Sequence, residues 1–209
     1  CPSHYMAVIE LYRATDDRRW LGLAQSFLRV RDDFQGGDDN QDRLPVREQY
    51  VVAGHAVRAN YLYAGLADLA LETGDADIVE VLTRLWDDVI DTKLYITGGC
   101  GALYDGASPD GHPWQEQISR VHQAYGRAYQ LPHTTAHAES CANIGMILWA
   151  ERMLALTGEA RFADVIEQIA FNALLAGISL DGTSYFYTNP LRQVRELPFE
   201  LRRAGDTGL

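Results

Sequence analysis

Basic residues are scarce in this chain: 18 Lys and Arg stand against 29 Asp and Glu in 209 residues, a net charge of −11. A field of that sign attracts neither nucleic-acid phosphates nor an anionic membrane surface, and it suits a protein whose ligand is a neutral small molecule or oligosaccharide. No apolar run approaches the ~18 residues of a membrane span. No basic stretch followed by an apolar one opens the chain, so no targeting signal is read. Cysteine is rare as well. Cys1, Cys100 and Cys141 are too few and too scattered for a disulfide scaffold, and their odd number favours free thiols or a ligand role. Free thiols fit a reducing compartment, so the expectation is a soluble, cytoplasmic protein of unassigned oligomeric state. What the chain does have is length: residues 1–209, read as one domain, bury roughly 70% of the surface that the unfolded chain exposes. It begins at Cys1 rather than Met and ends on Thr-Gly-Leu with no terminating pattern. The expectation is an internal piece of something longer.

The pattern along the chain is helical, and one phrase recurs: an apolar helix, a polar turn, a second helix. It stands at Leu11 (L-Y-R-A-T-D-D-R-R-W-L), at Leu69 (L-A-L-E-T-G-D-A-D-I-V) and at Leu154 (L-A-L-T-G-E-A-R-F-A-D-V). In each copy Thr is followed by Asp-Asp, Gly-Asp or Gly-Glu. Gly tolerates a left-handed C-cap and the acid favours the next N-terminus, so the phrases predict αα-hairpins. Helices over 56–71 and 78–90 follow, the second with Ile78, Leu82, Leu85, Trp86 and Val89 on one face. The irregular spacing of the copies argues for hairpins around a common centre rather than a strict solenoid. From Ile96 to about Ala138 the chain is rich in Gly, Asp, Pro and His and is read as a long functional loop. Near the C-terminal end, G-I-S-L-D-G-T-S-Y-F-Y-T-N-P-L predicts a short β-hairpin turning at Asp181-Gly182.

The densest chemistry lies in L-P-H-T-T-A-H-A-E-S-C-A at Leu131, which places His133, His137, Glu139 and Cys141 within nine residues. In an extended segment side chains repeat every two residues, so these four would share one side, whereas on a helix Glu139 and Cys141 would diverge. The apolar run that follows reads as a helix, so the group sits at a helix entrance. Such a donor set suits zinc better than magnesium or calcium. The plainer alternative is that Glu139 or Ser140 caps the helix and Cys141 is a small buried hydrophobe.

Four phrases taken together resemble the bacterial family that includes zinc-dependent β-L-arabinofuranosidases. They are V-R-E-Q-Y-V-V-A-G-H-A-V-R-A-N-Y-L-Y-A-G-L-A-D-L-A at Val46, Y-I-T-G-G at Tyr95, Y-Q-L-P-H-T-T-A-H-A-E-S-C-A-N-I-G at Tyr129 and N-A-L-L-A-G-I-S-L-D-G-T-S-Y-F-Y-T-N-P-L at Asn172. The resemblance implies an all-α (α/α)6 toroid and a glycoside hydrolase acting on plant-type glycans. It implies that Glu139 and Cys141 are zinc ligands, with Ser140 standing where the family has Thr. The family's remaining ligands are a Cys-Cys pair after the N-P-L segment, one of them the nucleophile, and no such pair occurs in these 209 residues. His55 looks like a sugar-hydroxyl contact and Tyr187 like the tyrosine close to the nucleophile. A cap at His55 or a barrel-filling role for Tyr187 are the bland alternatives.

One position departs from the pattern. The family's general acid/base Glu stands eight residues before the L-P dipeptide, and here that residue is Gln123. A carboxamide hydrogen-bonds but does not exchange a proton at usable pH, which a retaining double displacement requires. Glu116 and His122 are the nearest replacements. The Y-D-G-A-S-P-D-G stretch before Gln123 suggests a branch with its own specificity. Two other readings stand beside the hydrolase: a metal-free (α/α) sugar epimerase using His55, His122 and His137, and a catalytically inactive sugar-binding relative.

Overall fold

The computed structural model describes residues 2–107 and 120–192. Among these residues six α-helices form three hairpins: α1 (His4–Thr15) with α2 (Arg18–Asp32), α3 (Ala56–Thr73) with α4 (Ala76–Thr92), and α5 (Ser140–Thr157) with α6 (Ala160–Gln168). The hairpins turn where the repeated phrase places them. Asp16, Gly74 and Gly158 take the left-handed C-cap conformation, each donating its backbone N–H to a carbonyl in the last turn of the helix it ends. The acids behave unequally. The side chains of Asp17 and Asp75 accept the N–H groups of Arg19 and Ile78, whereas Glu159 makes no side-chain cap.

The buried faces meet in one main core. Trp86 of α4 packs against Trp149 of α5 and Phe162 of α6, with ring centroids 5.1 and 4.8 Å apart, and Tyr63 of α3 stacks on Trp149 at 4.9 Å. Burial of each such side chain contributes ~2–3 kcal/mol. Further along α3, the buried carboxylate of Asp68 receives Arg13 of α1 at 2.9 Å and Arg152 of α5 at 2.6 Å, so one anion ties three helices. The mostly helical architecture is that of part of an α/α barrel.

The stretch after Ile96 departs from the sequence expectation. It is not a loop throughout: β1 (Leu103–Ala107) pairs antiparallel with β2 (Arg120–Ala124), Leu103 facing Ala124. The hairpin expected near Asp181 is present in short form, but with a wider turn than Asp-Gly suggests. It has a single bridge, Ile178 to Tyr185, and closes over four residues through the Ser179 N–H on the Ser184 carbonyl at 2.8 Å. Asp181 Oδ1 accepts the Ser179 hydroxyl and the Thr183 N–H, which fixes the wider turn and removes the two-residue geometry that Asp-Gly suggests.

Candidate active site

Three lateral bridges set four chain segments side by side: His55 pairs with Ala124, Ala124 with Leu103, and Leu103 with Ala136. Neighbouring backbones in such a row lie ~4.8 Å apart, so residues distant in sequence are brought into one small region. A fifth segment joins at its end, because the Tyr187 carbonyl accepts the Ser140 N–H at 2.9 Å and the Asn189 N–H reaches the His137 carbonyl at 3.2 Å.

Glu139 is the N-cap residue of α5, yet its side chain makes no cap hydrogen bond. Its carboxylate is 1% exposed; Oε2 lies 2.9 Å from His137 Nε2, and Oε1 is buried without a hydrogen-bond partner. The capping alternative therefore fails for this residue. His137 is itself buried, its ring 5.3 Å from that of Tyr104 and 6.3 Å from that of Tyr187. Cys141, one residue into α5, is half-buried with a free thiol. Burial, then hydrogen bonding to Cys141 and Glu139, drives the Tyr187 hydroxyl far above the usual phenol range. Tyr61 of α3 shifts in the same direction, by burial first and by the charge of Cys141 second.

His55 is the N-cap residue of α3 and likewise makes no side-chain cap. Its ring is half-buried, Nδ1 lacks a partner, and burial holds its pKa below the ordinary imidazole value, against the opposing pull of Glu139. Gln123, at φ +55°, hydrogen-bonds toward His55. Expected cluster members thus come together in two groups, His137, Glu139, Cys141 and Tyr187 on one hand and His55 with Gln123 on the other, linked by the field of Glu139.

His133 does not join them. It is exposed, and its carbonyl is taken up by the N–H groups of Leu191 and Arg192. Strict alternation along 133–141 is broken because Ala138 adopts a left-handed φ of +37°. His122 is exposed, with its ring 5.9 Å from that of Tyr104, so the three histidines of the epimerase reading occupy dissimilar surroundings. Glu116 lies outside the described residues. Among the described residues no three His, Cys, Asp or Glu side chains converge to hold a metal ion. Tyr61 and Tyr104 escaped the sequence reading; their only sequence signal is proximity to His55 and to the Y-I-T-G-G phrase.

A helical-hairpin scaffold that carries a buried carboxylate and a thiol at one helix entrance is the setting in which comparison with known proteins becomes informative. Residues 1–203 match the β-L-arabinofuranosidase GH127 catalytic domain, and the chain belongs to that family. The non-reducing end β-L-arabinofuranosidase of Bifidobacterium longum is 31% identical over 212 residues, covering 91% of this chain and 30% of that protein. A solved structure titled glycoside hydrolase is 55% identical with a TM-score of 0.91, covering 97% of this chain and 34% of its own. A GH127 β-L-arabinofuranosidase from Geobacillus stearothermophilus T6 is 30% identical with a TM-score of 0.78, covering 98% and 32%. The chain therefore spans about a third of the length of these relatives. The family match does not favour the epimerase or the inactive relative.

Proposed function

We propose that this chain is part of the catalytic barrel of a longer glycoside hydrolase that cleaves β-L-arabinofuranosides. The observation that carries the reading is the Glu139 carboxylate: sealed from water, bonded through Oε2 to His137, with Oε1 left without a hydrogen-bond partner. A buried carboxylate oxygen without a donor costs several kcal/mol. A cation or a substrate hydroxyl delivered to that point recovers the cost.

Glu139 and Cys141 are the residues that would hold zinc. The carboxylate and thiol suit that metal, and two donors are half of a four-coordinate site, so the others come from elsewhere in the longer protein. When bound, zinc keeps a coordinating thiol deprotonated and nucleophilic near neutral pH. His137, on Oε2, fixes which carboxylate oxygen stays free. Tyr187, held protonated, presents its hydroxyl beside Cys141 and Glu139. His55, kept neutral by burial, offers Nδ1 to a sugar hydroxyl. The Gln123 amide orients the glycosidic oxygen without protonating it, and Glu116 is the candidate acid.

Hydrolysis of aryl and disaccharide β-L-arabinofuranosides by the full-length protein tests this. Glu139→Gln and Cys141→Ser are expected to lower kcat/KM by at least ~100-fold. Full activity in both variants would sink the reading. Glu116→Ala separately should stop turnover of substrates with poor leaving groups and spare activated aryl glycosides, which need no protonation.

A further inference from the structure

Asn60 sits on the second turn of α3, fully buried, and every polar atom of its side chain is engaged. Its Oδ1 accepts the Tyr125 hydroxyl at 2.8 Å; its Nδ2 donates to the Ala142 carbonyl at 2.9 Å and to Cys100 Sγ at 3.5 Å. Cys100 closes the ring. Its thiol also donates to the Ala142 carbonyl at 3.5 Å, and its N–H donates to Asn143 Oδ1 at 3.2 Å. Four segments therefore converge on one carboxamide, and three carry a candidate site residue close by. Tyr125 follows Gln123 by two positions, Ala142 follows Cys141 directly, and Asn60 lies five residues after His55, the N-cap of its helix.

These bonds do something the helices do not require. Ala142 lies inside α5, where the helical ladder already offers its carbonyl an N–H from four residues on. The Asn60 amide is an additional donor, and its effect is to fix where the start of α5 sits against α3. The close crossing that allows it is visible at Gly145, where an added Cβ would lie 3.0 Å from Asn60 Cβ. Tyr125 extends the same restraint to the end of β2. Apolar packing alone leaves such a crossing free to slide by tenths of an ångström, whereas a satisfied buried polar network specifies one arrangement.

Resting on the zinc reading given above, we propose that Asn60 is a positioning residue for the active site, holding the α5 entrance that bears Glu139 and Cys141 in register with the segments that bear His55 and Gln123. The experiment uses the full-length protein, with Zn2+ affinity measured by competition against a chromophoric chelator and the visible spectrum recorded after Co2+ substitution. Asn60→Ala is expected to raise the zinc Kd by ~10–100-fold and to shift the cobalt bands, as for other residues that orient metal ligands. Tyr125→Phe removes only the donor to Oδ1 and serves if Asn60→Ala does not fold; its expected change is a rise of several-fold in the same direction. Thermal midpoints are recorded alongside. Variants that melt earlier yet keep the wild-type zinc Kd and cobalt spectrum would overturn the positioning role and leave Asn60 as a core residue only. Glu139→Gln and Cys141→Ser serve as controls: unchanged zinc affinity in these two overturns the zinc reading and this inference with it.

Discussion

Gly54 controls the entry into α3 and thereby the aim of His55. Its φ is +80°, and a Cβ built there would fall 1.6 Å from the Asp38 carbonyl oxygen, a backbone atom that cannot swing aside. Gly54→Ala is therefore expected to cost ~3 kcal/mol or more, read as a lower urea midpoint, because left-handed strain and a hard overlap act together. Cys100 carries a different expectation. Burial pushes its thiol from 9.0 up to about 11. The unfolded chain thus loses this proton near pH 9 while the folded chain keeps it, so stability falls as pH rises from about 9 and the loss is complete near 11. At ~1.4 kcal/mol per unit the loss is ~2–3 kcal/mol. Denaturation measured between pH 8 and 11 should show a shallower decline in Cys100→Ala than in the wild type. Equal slopes would mean that this thiol is not protonated preferentially in the fold. Neither residue's role was legible in the sequence: G-H-A-V-R and T-G-G-C-G name the residues, but the contacts that constrain them come from non-adjacent chain, Asp38 for Gly54 and Asn60 and Ala142 for Cys100.

At the scale of elements, legibility follows the range of the forces. The three αα-hairpins were readable because their caps are local: the left-handed residue in all three, and the capping aspartate in two, act within one turn. The β1–β2 pair was not, because its strands bracket an insertion and Gly and Asp in 103–107 speak against a strand; the register comes from the neighbouring His55 and Ala136 segments. The same contrast explains His133, which alternation assigned to the cluster and which the bends over 133–135 leave at the surface, its carbonyl held by Leu191 and Arg192. Non-local charge also binds the elements. Asp68 is the shared anion of Arg13 and Arg152; Arg13 keeps Glu10 and Glu72, so Asp68→Ala chiefly deprives the partly buried Arg152 of its close carboxylate between α3 and α5. The expected loss is ~3 kcal/mol. A double-mutant cycle with Arg152→Ala should recover part of it, and simple additivity would show that the two residues do not share an interaction.

The whole molecule raises a question of completeness. The chain spans about a third of the length of its relatives, yet its helices bury a continuous core through Trp86, Trp149 and Phe162. The proposed zinc donors within it are two, and among the described residues no three His, Cys, Asp or Glu side chains are placed to hold a metal ion together. A full structural zinc site yields an apparent ~10–16 kcal/mol, and that figure rests on four protein donors closing on the metal together. With Glu139 and Cys141 alone, two positions fall to water and the chelate gain of the missing pair disappears. The 209-residue chain by itself is therefore expected to bind Zn2+ weakly, losing it on dialysis against a mild chelator, while the full-length protein retains one equivalent. Calorimetric titration of both, followed by metal analysis after dialysis, makes the comparison. Stoichiometric zinc retained by the short chain would show that it supplies further ligands of its own, with His137 the first to replace because it already touches Glu139. Loss of zinc from both proteins under the same dialysis would instead remove Glu139 and Cys141 from metal binding altogether.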